Sequence, residues 1–312
     1  MDVNIEMMGL LDYWMYRLNP NKKNKLGMCI LIKDEQDIIE DNIRFHAAVG
    51  VDCFVVTDNN STDGTREILT KLAEEFEIII IDEPSTDFLQ AVWTTSMAFK
   101  AKNELNVDWL LCCDADEFWV PPKNKSLKDV FKGGASIINC ERRNMVMPEE
   151  AAQLEYDYLD TTLKVANPVL FSKQSKVVLS QSNLSMSLEK LGEKVGVNLH
   201  GLVRVKAGNH NAKHWWKFAR EKNMDVQVYH YPFRSYARFK RQVENIIGNI
   251  AGGKAELGQA SYRWKEQYEK GQLEDEYNRL IISKDDEKTL RKYGIIIDDE
   301  LSGEAIKSAR KA

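Results

Sequence analysis

Three acidic residues directly follow an apolar run in this 312-residue chain. The run is 109–113, and Asp114, Asp116 and Glu117 come after it. Two carboxylates at this spacing repel each other unless a cation lies between them, and their hard oxygens select Mg or Mn over Zn. Because an Asp-x-Asp also arises by chance in a chain of this length, the position after a predicted buried strand is what makes Asp114 and Asp116 candidate metal ligands.

The elements that would position these acids alternate between strand and helix. Apolar runs predict strands at 28–32, 53–57, 78–81 and 109–113, with amphipathic helices between them. This rhythm predicts a parallel sheet with right-handed crossovers. Three of the strands end in acids or amides, and the carboxyl ends of parallel strands meet at one edge. We therefore expect a nucleotide-type pocket at that edge. Since the chain has neither a G-x-G-x-x-G nor a G-x-x-x-x-G-K-[S/T] motif, a cation would hold the phosphates there.

The composition limits the class of protein. A net charge of -5 and a pI near 5.7 argue against general nucleic-acid binding. The five cysteines all lie in apolar runs, which predicts reduced core thiols in a cytoplasmic protein. The first residues carry acids where a secretory signal would be basic, and no apolar run approaches the ~20 residues that span a bilayer.

The chain divides into three predicted parts: an N-terminal segment (1–25), one large domain (26–253) and a charged, helical C-terminal extension (254–312). Within the domain, 26–120 is the predicted nucleotide-binding half and 121–253 the acceptor half. The acceptor half looks mixed and antiparallel, with short strand-like runs followed by a helix. The runs are 136–140, 169–171, 177–179, 202–205 and 226–229.

Two surfaces leave alternatives open. The apolar segment 7–16 could pack on the domain, on a second subunit or on a membrane surface, and packing on the domain is favoured. The basic run Arg234, Arg238, Lys240 and Arg241 could clamp a diphosphate, meet anionic lipid or form a solvated helix face.

Several motifs together resemble the family 2-like glycosyltransferases with a GT-A fold, and more narrowly the bacterial subgroup related to glycosyltransferase family 92. The motifs are 33–35 (KDE), 44–51 (RFHAAVGV), 58–65 (DNNSTDGT), 114–118 (DADEF) and 230–235 (HYPFRS). The resemblance runs from about residue 28 to 253. It implies an α/β fold with a mostly parallel central sheet, helices on both faces, a smaller antiparallel part and C-terminal helices.

The resemblance also implies site residues. Asp58 would bind the nucleotide base, with Asn60 in the same loop and Lys33 and Glu35 lining that side. Asp114 would face the ribose or the cation. Asp116 would be the main ligand of a Mn or Mg ion on the diphosphate of the nucleotide-sugar donor.

A late histidine often completes the metal site in this fold, and here His210 and His230 compete, with His210 slightly preferred. His210 and His214 are also four residues apart, but the preceding Gly208 and Asn209 favour a loop, so zinc is disfavoured.

An inverting transfer needs a general base for the acceptor hydroxyl. Glu141, directly after the predicted strand 136–140, is the first candidate, and Glu149 and Glu150 follow. For each of the three, a solvated surface acid is the favoured alternative, since most carboxylates are exposed.

The expected function is hexosyl transfer from a nucleotide sugar to a saccharide or lipid-linked acceptor, as in polysaccharide biosynthesis. The expected location is the cytoplasm. Peripheral contact with the inner face of a membrane is left open. A non-catalytic sugar-binding module and a sugar nucleotidyltransferase are the alternatives. The latter usually has a glycine-rich, basic loop after strand one, whereas 33–35 is acidic and lacks glycine. Donor base, sugar, linkage and oligomeric state cannot be read from the sequence.

Overall fold

A computed structural model describes residues 3–85, 89–153, 155–169, 185–251 and 259–310. The helices within these ranges are α1 (Val3–Leu18), α2 (Ile39–Ala48), α3 (Thr65–Glu75), α4 (Gln90–Leu105), α5 (Leu127–Val130), α6 (Tyr236–Ala251), α7 (Gln259–Glu269), α8 (Leu273–Asn278), α9 (Lys284–Lys292) and α10 (Glu300–Arg310). The strands are β1 (Leu26–Ile32), β2 (Cys53–Asp58), β3 (Ile78–Asp82), β4 (Trp109–Asp114), β5 (Glu117–Val120), β6 (Ile137–Asn144), β7 (Leu163–Val165), β8 (Lys194–Asn198), β9 (Leu202–Val205), β10 (Ala212–His214), β11 (Arg220–His230) and β12 (Ile296–Asp298).

The central sheet has eight strands in the order β3-β2-β1-β4-β8-β6-β11-β5. Strands β1 to β4 are parallel to one another, and β8 is antiparallel to both of its neighbours, β4 and β6. Strand β11 is parallel to β6, and β5 closes the order as an antiparallel edge strand. As a result β1, β2, β3, β4, β6 and β11 all point their carboxyl ends to the same edge.

Helices cover both faces of this sheet because both faces are apolar. On one face α2 and α3 pack against alternate residues of the strands, with Ile43 and Leu69 fully buried. On the other face α4 contributes Met97, Ala98 and Ala101 to a second core. The predicted α/β architecture is confirmed: a mostly parallel central sheet with helices on both faces. The five cysteines are buried free thiols, as predicted.

The second half of the chain is mixed, as predicted. It supplies β6, β8 and β11 to the main sheet and forms two small antiparallel pairs, β9 with β10 and β7 with β12. The predicted run 177–179 and most of 169–171 lie outside the described residues.

The C-terminal residues pack on the domain. Strand β12 pairs with β7. Helix α10 packs on α2, where Arg310 Nε lies 2.6 Å from Asp41 Oδ1 and Ile306 is fully buried. Among the described residues, no helix is long and apolar enough to cross a bilayer.

Helix α1 is fastened to the domain by a charged histidine. The two ring nitrogens of His200 lie 2.9 Å from Asp12 Oδ1 and 3.0 Å from Asp108 Oδ1, and its ring stacks on Tyr16. Two carboxylate acceptors require both nitrogens to carry protons. Although burial opposes the charged form, hydrogen bonds to Asp108 and Asp12 raise the pKa of His200 above 6.5. Burial also works against ionised Asp12, but His200 and Lys102 lower the pKa of Asp12 to about 2.

We expect His200→Gln to loosen α1 in a pH-dependent way. A raised folded pKa means that the stabilisation is complete below pH about 6.5 and is lost as the pH rises through the raised value. Hydrogen exchange of α1 amides should therefore be faster in the variant at low pH and similar in both proteins at high pH. Equal exchange rates at every pH would contradict this role.

Candidate active site

Three parallel strands bring the last residue of each to one place. Asp114 ends β4, Asn144 ends β6 and His230 ends β11, and Asn144 and His230 are partners in the register of their two strands. Loop residues after β1 and β2 reach the same edge. The sequence rule that ligands gather at the carboxyl ends of parallel strands applies here.

Helix α2 fixes the turn that carries Asp116. The buried amide of Asn42 donates to the carbonyls of Ala115 and Glu117, both at 2.8 Å. His46 Nδ1 contacts the Asn42 carbonyl at 2.8 Å, so its Nε2 accepts from the Trp119 backbone at 3.0 Å. Complete burial lowers the pKa of His46 to about 3, which keeps this acceptor neutral. Two side chains of α2, Asn42 and His46, therefore fix the turn and the start of β5 by hydrogen bonds to their backbone.

Asp114 is held by a buried lysine. Lys194 Nζ is ion-paired with Asp114 Oδ2 and lies 3.0 Å from Glu117 Oε1, and both Lys194 and Glu117 are fully buried. Arg142 Nη1 lies 2.7 Å from the same Glu117 oxygen. Asn209 donates to the other Asp114 oxygen at 3.1 Å. Although burial disfavours a charged amine, Asp114 and Glu117 keep the pKa of Lys194 above its usual value.

Asp116 faces His230 across a short gap. Asp116 Oδ2 lies 3.4 Å from His230 Nε2 and 4.0 Å from Arg234 Nη1. Burial raises the energy of the Asp116 carboxylate, but the positive charges of His230, Arg234 and Arg238 outweigh it, and the pKa of Asp116 is well below its usual range. Asp116 is thus ionised at any ordinary pH.

The tautomer of His230 follows from Asn144. The Asn144 amide nitrogen donates to the Ser187 carbonyl at 2.7 Å, which leaves its oxygen facing His230 Nδ1, also at 2.7 Å. Nδ1 must then carry a proton. Nε2 is then the ring atom that faces the Asp116 carboxylate. It donates to that carboxylate when the ring is charged, and in the neutral ring its lone pair and the carboxylate can share a divalent ion.

A cavity of about 340 Å³ opens at this edge. Its polar lining comes from the strand ends, from α4 and from α6. The sequence of α6 predicts only an apolar face and a basic edge for this helix. These lining residues are Lys33, Glu35, Asn59, Gln90, Asp114, Asp116, His230, Arg238, Gln242 and Asn245.

Part of the predicted basic run is built into this site. Arg234 is buried and lies 2.6 Å from Glu35 Oε2 and 2.8 Å from Asp37 Oδ2. Arg238 is ion-paired with Glu35 and lines the cavity. Arg241 lies 3.3 Å from Asp63. Three of the four basic residues thus meet acids of the domain, and the fourth, Lys240, is exposed.

Asp58 and Asn60 lie at the same sheet edge, at the end of β2 and just after it, but neither lines this cavity. Asp58 is buried at the end of β2, and its Oδ1 accepts from the Ser61 backbone at 3.0 Å. Asn60 has φ of 54° and donates to the Pro84 carbonyl at 3.0 Å. Between them Asn59 reaches the cavity.

The acids predicted as candidate bases are not brought to the cavity. Glu141 lies on the opposite face of β6 from Arg142 and Asn144, since strand side chains alternate, and it pairs with Arg143 at 2.8 Å. Glu149 is an exposed acid whose carboxylate accepts from the backbone of Lys284 at 3.3 Å, and neighbouring Glu150 pairs with the Lys284 side chain.

His210 is likewise outside the cavity lining. Its Nδ1 lies 2.8 Å from the Glu193 carbonyl, and its ring packs against Gly192 and Gly208. Of the two late histidines it is His230 that stands beside Asp116. The slight preference for His210 is therefore not supported by the geometry, which brings His230 and not His210 beside Asp116.

The chemistry of the donor set decides whether a metal fits. Among the described residues no group of three or more His, Cys, Asp or Glu side chains is arranged as a metal cage. Mg, however, is commonly bound through one or two protein ligands plus substrate phosphates and water. Asp116 supplies one such carboxylate, and His230 Nε2 lies 3.4 Å from it. The Asn144 bond to His230 Nδ1 is the kind of outer-shell contact that would orient this imidazole as a further ligand. The residues fit a divalent ion that is shared with a diphosphate.

The amino-acid sequence matches a known protein family over part of its length. Residues 30–158 match the family model described as Glycosyl transferase family 2. That segment contains the end of β1, the strands β2 to β6 and the acids that line the cavity. The resemblance to family 2-like glycosyltransferases is therefore confirmed over this segment.

The matched curated relatives are glycosyltransferase family 92 proteins. One from Oryza sativa subsp. japonica is 25% identical over 112 residues, which are 36% of this chain and 19% of the relative. One from Arabidopsis thaliana is 26% identical over 113 residues, 33% of this chain and 18% of the relative. The chain thus spans less than a fifth of the length of these relatives.

Solved structures with a similar fold share little sequence. S. aureus TarS 1-349 in complex with UDP-GlcNAc is 12% identical, with a TM-score of 0.39, and the match covers 76% of this chain and 68% of that one. Glucosyl-3-phosphoglycerate synthase from Mycobacterium tuberculosis, in complex with Mn²⁺, UDP and glucosyl-3-phosphoglycerate, is 12% identical with a TM-score of 0.33 over 76% of this chain and 82% of that one.

Proposed function

We propose that this chain transfers a glycosyl group from a nucleoside-diphosphate sugar to a hydroxyl of a saccharide or lipid-linked acceptor, with inversion and with Mn or Mg. One observation carries the proposal: Asp116 Oδ2 and His230 Nε2 face each other at 3.4 Å in a cavity at the carboxyl ends of the parallel strands. The hexosyl identity of the sugar is part of the proposal.

Each part of the donor has a side chain to meet it. Asp58 and Asn59 lie where the nucleoside would bind, and Lys33 and Arg238 can meet diphosphate oxygens. Asp114, fixed by Lys194 and Asn209, is positioned for the ribose or the cation. A bound Mg or Mn, held by Asp116 and His230, would neutralise the charge of the departing diphosphate.

The transfer itself exchanges one bond for another. The acceptor oxygen forms a bond to the anomeric carbon, the bond from that carbon to the diphosphate breaks, and the acceptor proton passes to a base. Neither Glu141 nor Glu149 reaches the cavity, so we do not assign that base to either residue.

A thermal-shift panel of UDP, GDP, CMP and dTDP sugars with and without Mn tests the donor. A ligand at 100 times its Kd stabilises the folded state by about 2.7 kcal/mol. We expect one base to raise the Tm, and to do so more with Mn present. A panel in which no sugar nucleotide changes the Tm would contradict the proposal.

Asn144 gives a prediction that does not depend on turnover. Replacing it with alanine removes the acceptor that fixes His230, and loss of such an outer-shell contact lowers metal affinity by roughly 10- to 100-fold. Titration calorimetry of Mn with the matching nucleoside diphosphate present measures the change. Asn139→Ala on the same strand is the control, and equal affinities in both variants would contradict the role of Asn144.

A second candidate is a nucleotide-sugar-binding module without catalysis. It is favoured by one observation, that the two acids expected to act as base lie outside the cavity. Transfer to water or to added saccharides distinguishes the two, because a module would bind the donor and leave it intact.

A further inference from the structure

Helix α1 turns an apolar stripe outward. Its residues Tyr13 and Tyr16 are buried against the domain, whereas the residues on its other side are large, apolar and largely exposed. This is the reverse of a surface helix, which presents polar residues to water. The exposed side is made of Met7, Met8, Leu11, Trp14, Met15 and Leu18, with exposed fractions from 36 to 74%.

Aromatic residues after β10 continue this stripe. Trp216 stacks on Tyr13 at 5.9 Å and meets Trp14 edge-on at 5.1 Å. Phe218 follows at 5.5 Å from Trp216 and is 87% exposed, more than the other large apolar residues of the described chain. We use the name apolar stripe for the six exposed apolar residues of α1 named above together with Trp216 and Phe218. Contiguous apolar surface of this kind marks an interaction site.

A basic cavity adjoins the apolar stripe and shares Trp216 with it. The cavity measures about 400 Å³, and no carboxylate of the described residues lines it. Its five basic residues are Arg204, Lys206, Lys213, Lys217 and Arg220. None of them is within 4.0 Å of a carboxylate in the described part of the chain, although the protein as a whole carries a net charge of -5.

We propose that the apolar stripe and the basic cavity together bind the surface of an anionic membrane. Exposed Leu, Met, Trp and Phe side chains can enter the boundary between headgroups and acyl chains, and Lys and Arg beside them meet lipid phosphates. A soluble anion would use the cavity and leave the stripe in water, and a neutral protein partner would use the stripe and leave five cations unmatched. A lipid surface satisfies both.

This surface is separate from the candidate active site. The cavity is lined by Ser136, Ile137 and Arg220, at the amino ends of β6 and β11, whereas Asn144 and His230 end those strands. Eight residues of extended chain separate the two edges by about 25 Å. Loss of membrane binding and loss of donor binding can therefore be measured independently.

Cosedimentation tests the proposal with the full chain and vesicles of phosphatidylcholine alone or mixed with phosphatidylglycerol three to one. We expect pelleting with the anionic vesicles only. A charge variant, Arg204→Gln with Lys206→Gln and Lys217→Gln, should weaken it on the order of 100-fold, since each basic residue at a lipid surface contributes about fivefold. An apolar variant, Met15→Ser with Leu18→Ser and Phe218→Ser, should weaken it as well.

Matched controls use exposed residues elsewhere. They are Lys123→Gln with Lys125→Gln and Lys288→Gln for charge, and Met224→Ser with Tyr293→Ser and Ile297→Ser for the apolar side chains. Both controls should pellet like the parent chain. Absence of pelleting, or pelleting that survives both test variants, would overturn the proposal. A further contradicting result would be a parent chain that does not bind vesicles but forms a dimer in sedimentation velocity, with the apolar variant monomeric. The apolar stripe would then join two copies of the chain.

Discussion

Replacing Asp116 with asparagine is expected to lower glycosyl transfer by about 10²- to 10³-fold, the effect of removing one preorganised electrostatic contact from a reacting centre. Asp116 is the ionised carboxylate opposite His230, and an amide neither binds a divalent cation as strongly nor matches the charge of Arg234 at 4.0 Å. Initial rates at saturating donor, compared with calorimetric donor affinity in the presence of Mn, separate loss of chemistry from loss of binding.

Glu141→Gln is the matched control for this change. It also neutralises one carboxylate, but on the face of β6 that is turned away from the cavity, where Glu141 pairs with Arg143. We expect it to retain transfer. If Glu141→Gln abolished transfer while Asp116→Asn spared it, the assignment of the site would be wrong and the sequence-based choice of Glu141 as base would be supported.

Replacing Lys194 with methionine is expected to lower the free energy of unfolding by about 3–5 kcal/mol. The change leaves Glu117, which is fully buried, with Arg142 alone, and leaves Asp114 without its main cation. Urea denaturation of the variant measures the loss. Adding Glu117→Gln to the same chain should restore part of the stability, since the uncompensated buried charge is then removed.

The control for Lys194 is another lysine ion pair with a different environment. Lys222 lies 2.7 Å from Glu193, but their side chains are 51% and 35% exposed. Surface pairs of this kind contribute about 0–1 kcal/mol. Lys222→Met should therefore hardly change the unfolding midpoint, and similar losses in the two variants would show that burial of the Lys194 network is not what stabilises the fold.

The sequence predicts the first half of the fold well because its signals are local. Unbroken apolar runs mark β1, β2, β3 and β4, and each predicted strand lies within one to two residues of the observed bounds. The edge where ligands gather also follows, because it depends only on strand direction. Asp58, Asp114 and Asp116 could thus be singled out from strand ends alone.

The partners of those acids could not be predicted because they come from distant strands. Lys194 reaches Asp114 only because β8 lies between β4 and β6 in the sheet, and Asn144 meets His230 only because β6 and β11 are in register. Its position directly after an apolar run makes Glu141 a candidate base, but alternation along β6 turns its side chain away from the cavity. One signal does favour His230 over His210: His230 directly follows the strand-like run 226–229, as Asp114 directly follows the strand-like run 109–113.

Helix α6 also contributes residues to the cavity that the sequence does not predict. Its apolar period and basic edge were evident, yet Gln242 and Asn245, which line the cavity, carry no signal in the sequence. Asn245 donates to Asp34 at 3.0 Å across more than two hundred residues. A polar residue on an otherwise ordinary helix becomes a site residue only through the packing of that helix over a sheet edge.

Titration calorimetry of a nucleoside diphosphate into the parent chain and into Asp116→Asn, each with and without Mn, tests the central claim most directly. The claim is that acids at the ends of neighbouring strands hold a cation and a diphosphate together. We expect binding that is strong with Mn, weak without it and insensitive to Mn in the variant. Mn-dependent binding of equal strength in both proteins, or no binding of UDP, GDP, CDP or dTDP to the parent chain, would contradict it.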